Sequence, residues 1–215
     1  MTVYEHAMLG WTLAVAVGGP RKHGWAIAVM AGLAAALSDL DGISLLFGPV
    51  AFAHIHRVWA HNILIAALLG LLTGAAGYLS SRSMRVQRGA RAVMKRLASD
   101  IKMAEPGEKP FVGRDCAAWM AIGTLAGLSH LPADIIYNGN SELPPWPVPL
   151  AWPFSERGWE LPIVPWGDQV TTVILICEMF CLYFWSNRSQ AVAGLTLLAI
   201  AAYVGVRWLI VGLAA

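Results

Sequence analysis

The chain has 215 residues, of which 57% are apolar and only 13% charged. Soluble domains carry roughly 25% charged residues, so composition points to a lipid bilayer and away from an ordinary soluble domain. The net charge of +2 is close to neutral and selects no class of partner by itself. In chain order, the first apolar run covers about 7–19. Glu5 and His6 precede it, and Arg21 and Lys22 follow it. A cleavable signal has the opposite polarity, so an uncleaved first helix with its N-terminus outside is expected. Further apolar runs lie near 25–38, 62–79, 116–131, 169–186 and 191–214. The piece at 43–53, broken by Gly48-Pro49, reads as interfacial or re-entrant. The fold class expected is all-α: a single domain over 1–215, a polytopic membrane bundle of about six apolar helices.

The loops between these runs differ in character. The 20–24, 80–115 and 187–190 connections hold twelve of the fifteen Lys and Arg residues. With six spans they share one side, and the positive-inside rule makes it cytoplasmic. Within 80–115, Ala90, Val93, Met94, Leu97 and Ile101 recur at helical spacing among basic residues. That pattern predicts an amphipathic helix on anionic lipid, with no nucleic-acid partner. The outer loop at 138–168 holds seven prolines together with Trp146, Trp152, Trp159 and Trp166. Prolines forbid a long helix there, and tryptophan suits the headgroup layer. This segment is expected to cap the interface or to cover a lipid-accessible site. The cysteines Cys116, Cys177 and Cys181 imply no disulfide framework. Inside the last two helices, Glu178 and Arg207 fall at similar depth and are expected to pair, since a lone charge there is costly.

Sorting the remaining polar residues by side gathers five of the six histidines on the outer face. His6 opens the first helix, Asp39 and Asp41 close the second, and His54, His56, Arg57 and His61 lead into the third. His130 and Asp134 close the fourth, four residues apart and so on one helical face. Asp39 and Asp41, two apart, can act together only where the chain has left a regular helix. Imidazole with carboxylate is a common first shell for zinc and other transition metals. The candidate metal ligands are therefore His6, Asp39, Asp41, His56, His61, His130 and Asp134. His54 has no partner at a useful spacing and reads as structural.

The ordered set His6, SDLD at 38–41, HRVWAHN at 56–62, HLPAD at 130–134 and WPF at 152–154 resembles the YdjM family of inner-membrane metal-dependent hydrolases. The resemblance covers about residues 1–155. Ser38, Ala60 and Asn62 depart from the family's usual residues beside the ligands. A more distant similarity links His6, Asp41, His56, His130 and Asp134 to ligand positions of the zinc phospholipase C and P1 nuclease group. That group adds a later H-x-x-x-E, which this chain lacks. Glu142, Glu156, Glu160 and Asp168 are then open as substitutes. The resemblance implies one or two divalent ions, zinc first and manganese or iron as alternatives. It also implies hydrolysis of an ester or phosphoester in a lipid or lipid-linked substrate. Asp39 or Asp134 would take a proton, and Arg57 would clamp an anionic oxygen. The alternative is a transporter or ion-binding protein without hydrolytic activity.

Overall fold

A computed structural model describes residues 1–48, 51, 56, 59–97, 110–140 and 144–214. It is all-helical apart from two isolated β-bridges. The helices are α1 (Val3–Ala16), α2 (Gly19–His23), α3 (Ala26–Ala36), α4 (Ile63–Arg82), α5 (Met84–Leu97), α6 (Gly113–Ile136), α7 (Gln169–Phe184) and α8 (Ser189–Ala214). A 3-10 segment, Leu37–Phe47, continues directly from α3.

Six spans were expected, but three helices among the described residues are long and apolar enough to cross a membrane: Ala26–Ser44, Ile63–Arg82 and Ser186–Leu213. The reason lies in length and polarity. α1 ends at Ala16, where Gly18 turns with φ of 76° and Gly19-Pro20 starts a new helix. Its 14 residues reach only about 21 Å, short of a bilayer core of about 30 Å. α7, with 16 residues, is likewise short. α6 is long enough, but it begins with Arg114 and Asp115 and ends with His130, Pro132 and Asp134. The 43–53 piece is 3-10 through Phe47, with Leu46 and Phe47 about 80% exposed as an interfacial segment requires. Most of its remainder lies outside the described residues.

Small residues set the bundle's geometry. On α4, Gly70 and Gly74 face Gly123 and Gly127 of α6, and the backbones of the two helices touch. A Cβ added at Gly123 would run into the Gly70 carbonyl oxygen. This is close packing through small residues one turn apart, the usual device where lipid supplies no hydrophobic drive between helices. Gly10 of α1 approaches Ala31 and Ala35 of α3 in the same way. α1, α3, α4 and α6 are thereby clamped with one set of ends together.

The basic segment does form a helix, α5, followed by residues 98–109, including Ile101, that lie outside the described ones. The proline- and tryptophan-rich loop is tied down by backbone hydrogen bonds. Val148 and Trp159 exchange N–H···O bonds of 2.8 and 2.9 Å, Leu161 donates to Ile135, and Val164 donates to Ile136. Ile63 at the start of α4 donates to Leu150. The loop is therefore a fixed cap joining the ends of α4 and α6. The expected Glu178–Arg207 pair is not formed. Glu178 is buried and accepts from Thr12 Oγ1 of α1, whereas Arg207 lines a cavity with Asn140 and Pro165. Similar depth says nothing about the direction in which a side chain leaves its helix.

Candidate metal centre

The clamped ends of α1, α3, α4 and α6 hold the histidines and aspartates. α6 runs through Pro132 to Ile136, so His130 and Asp134 stay on one face, with Nε2 and Oδ2 3.5 Å apart. The 3-10 turn after α3 aims its two aspartates differently. Asp39 faces the α6 pair, whereas Asp41 faces His56 and the far side of His61. His61 sits between them just ahead of α4, whose first turn is capped by Asn62 accepting from Ile65 N at 2.9 Å.

Four atoms form the centre. His61 Nε2 and His130 Nε2 are 3.0 Å apart. Asp39 Oδ1 lies 3.5 Å from His61 Nε2 and 3.6 Å from His130 Nε2. Asp134 Oδ2 lies 3.3 and 3.5 Å from the same two nitrogens. Tetrahedral N and O ligands about 2.0–2.1 Å from an ion stand about 3.3–3.4 Å from one another. Five of the six separations in this set, 3.0–3.6 Å, lie near that edge length. The donor set is also right for zinc or another transition metal: two imidazoles and two carboxylates. Asp39 Oδ2 is buried with no hydrogen-bond partner, an orphaned acceptor that a cation would satisfy.

The imidazoles are oriented from behind. His130 Nδ1–H donates to the Ala35 carbonyl at 2.9 Å, which turns the Nε2 lone pair inward. His61 Nδ1–H donates to Asp41 Oδ2 at 3.1 Å. Asp41 Oδ1 accepts from His56 Nδ1 at 2.7 Å. Such backing contacts fix tautomer and ring direction in metal sites. Burial favours a neutral His61, but hydrogen bonds to Asp134, Asp39 and Asp41 outweigh it and push its pKa up to about 10.

His6 flanks this set. Its ring stacks on His130 at 3.7 Å, and its Nε2 lies 3.0 Å from Asp134 Oδ1 and 3.9 Å from Asp39 Oδ2. Two groups of atoms that could hold an ion are thus present: His6, Asp39, His130 and Asp134, and Asp39, His56 and His61, with Asp39 common to both. All seven candidate ligands come together. Arg57 and His54 lie outside the described residues.

Glu5, adjacent in sequence, stays out of the cluster. Its Oε2 takes the backbone N–H and hydroxyl of Thr2, and its Oε1 accepts from Thr172. The chain's first amino nitrogen donates to Asp134 Oδ1 at 2.9 Å. Two contributors went unread in the sequence. The Ala35 carbonyl left no side-chain signal at all. Asn138 follows Asp134 by one turn and was legible by that spacing; it pins Trp146 through a pair of hydrogen bonds of 2.8 and 2.9 Å. Trp146 in turn meets the His56 ring edge-on at 5.2 Å.

No curated protein and no solved structure matches the chain. A family described as YdjM inner membrane protein matches it over residues 1–214. With nearly the whole length matched, the chain belongs to the YdjM inner membrane protein family.

Proposed function

We propose that this protein is a membrane-bound, metal-dependent hydrolase that cleaves an ester or phosphoester of a lipid or lipid-linked substrate. The observation that carries the reading is the convergence of His61, His130, Asp39 and Asp134, with imidazole nitrogens and carboxylate oxygens 3.0–3.6 Å apart. A divalent ion there, zinc by preference and manganese or iron otherwise, supplies Lewis acidity and brings the pKa of water toward neutrality. A second ion would draw on His6 or on His56, with Asp39 common to both groups.

The protein's own groups divide the remaining work. His130 and His61 are held in direction by Ala35 O and Asp41. Asp134 Oδ1 is already engaged by His6 Nε2 at 3.0 Å, so it is a poor proton acceptor. Asp39 Oδ2 is unengaged and is the better candidate to take a proton from the attacking water. Arg57, next to His56 in sequence, is expected to bind an anionic oxygen of the substrate. The cap over 144–168 limits access by water and offers aromatic surface to lipid. By the distribution of basic residues, the site faces outward and the 80–115 segment is cytoplasmic.

The test is elemental analysis of gently purified protein, followed by incubation with a total lipid extract with and without chelator, products being read by mass spectrometry. Wild type should carry transition metal and release chelator-sensitive products. His130→Ala and Asp134→Ala should each lose metal and turnover while staying folded, and Arg57→Ala should keep metal and lose turnover. Protein that takes up no zinc, manganese or iron sinks the reading.

A further inference from the structure

Beside the candidate metal centre the cap forms an open cavity of about 560 Å³, lined by Trp146, Pro147, Pro149, Trp152, Glu156 and Glu160, among others. We infer that this cavity receives the alkylammonium head of a zwitterionic lipid, an assignment that takes its link to catalysis from the hydrolase reading above.

The walls have the chemistry of a cation cage. Trp146 and Trp152 are half-buried and line the cavity, and indole rings attract a cation through the ring quadrupole. Glu156 and Glu160 have no hydrogen-bond or ion-pair partner among the described residues, so two negative charges face the cavity uncompensated. The nearest cation in sequence, Arg157, is not among the lining residues and stacks its guanidinium 4.6 Å above the Trp159 ring. Pro147 and Pro149 contribute no backbone N–H, so the wall is poor in donors. An anionic group would be repelled here, and a sugar would find few donors for its oxygens. A quaternary ammonium requires no hydrogen-bond donor, a primary one donates to the carboxylates, and both gain from the rings and the negative charge.

The cage is also placed for the reaction. Asn138, at the end of α6, fixes the Trp146 backbone, and the Trp146 ring touches His56 at 5.2 Å. The opposite wall is steadied where Trp152 meets Trp59 at 5.3 Å, two residues before His61. A head group bound in the cage therefore sits one ring away from the metal-ligating histidines. Phe154, 86% exposed nearby, offers apolar surface to the lipid's chains.

The experiment uses the full chain in nanodiscs of phosphatidylglycerol, which lacks an ammonium group. Saturation-transfer NMR follows choline chloride, its neutral isostere with carbon in place of nitrogen, and methyl glucoside. Choline should bind saturably, with the isostere and the Glu156→Gln/Glu160→Gln variant each at least about tenfold weaker. Chelator should leave choline binding unchanged, because Glu156 and Glu160 belong to neither group of atoms that could hold an ion. The inference is overturned if choline does not saturate, if the isostere or the glucoside binds as tightly, or if the double variant keeps wild-type affinity. Choline binding by a protein that never takes up metal would refute hydrolysis and leave the cage standing. Metal uptake without choline binding would do the reverse.

Discussion

The clearest separation between a ligand and its support comes from Asp41→Asn. Asp41 divides its two oxygens between two N–H donors: Oδ1 takes His56 Nδ1 at 2.7 Å and Oδ2 takes His61 Nδ1 at 3.1 Å. An amide of the same shape has one acceptor, so one of the two imidazoles must meet an NH₂ group. If His61 loses its acceptor, its tautomer is no longer set and Nε2 is no longer held toward Asp39 and Asp134. Loss of a backing group of this kind typically weakens metal binding about 10- to 100-fold, or about 1.4–2.7 kcal/mol. Asp39→Asn removes a candidate ligand at the centre and should lose more. The assay is competition for zinc against a chromogenic chelator, run on wild type, Asp41→Asn and Asp39→Asn. Wild-type affinity in Asp41→Asn would show that Asp41 does not orient His61. A loss as complete as that of Asp39→Asn would show instead that Asp41 is itself a ligand.

Further predictions follow from the packing, the charge and the topology. Gly123→Val should destabilise the protein by about 3 kcal/mol or more, because the added carbons meet the Gly70 backbone and force α4 from α6. Gly194→Ala, where a Cβ meets nothing, should be neutral or slightly stabilising; equal melting temperatures for the two variants in detergent would refute the close-packing account. Metal uptake should weaken as pH falls, because an ion must displace the proton that His61 holds up to about pH 10; an affinity flat between pH 8 and 6 would contradict this. Cysteines introduced at Ser99 and Ser141, both outside the described residues, should be respectively shielded from and open to an impermeant reagent in intact cells; the opposite pattern would invert the topology.

The sequence was informative where chemistry repeats at short range. His130 and Asp134 share a face because they are one turn apart, and α6 keeps them so despite Pro132. The divergence of Asp39 and Asp41 was legible as a consequence of their spacing, and the 3-10 turn uses it to place one carboxylate on each side of His61. Long-range facts were not legible. That His130 Nδ1 would find Ala35 O, 95 residues away, is a property of the α3–α6 packing alone. Glu178 illustrates the same limit. Depth along a helix follows from counting residues, but only the bundle decided that its oxygen would meet Thr12 and not Arg207. The number of spans failed for a different reason. Apolar runs in α1 and α7 are cut short by turns whose backbone geometry, and not their hydrophobicity, sets the helix length.

A transporter would use the same residue types, so placement has to separate the two classes. Alternating-access proteins keep their ion sites near the midplane, on interrupted helices that present different surfaces to the two sides. Here the ligands stand at the first turn of α1, the 3-10 extension of α3, the turn before α4 and the last two turns of α6. Every one of these is a helix end, with α4 and α6 in backbone contact through glycines and Gly10 of α1 packed on Ala31 and Ala35 of α3. The cap is bonded to α4 through Leu150 and to α6 through Ile135 and Ile136, which further joins the elements carrying the ligands. A site held in this way is suited to keeping ions in place, with one carboxylate oxygen, Asp39 Oδ2, left over for a proton. A site fixed in this way fits the proposed hydrolase, whose substrate would come to the metal, better than a transporter, whose ion must leave.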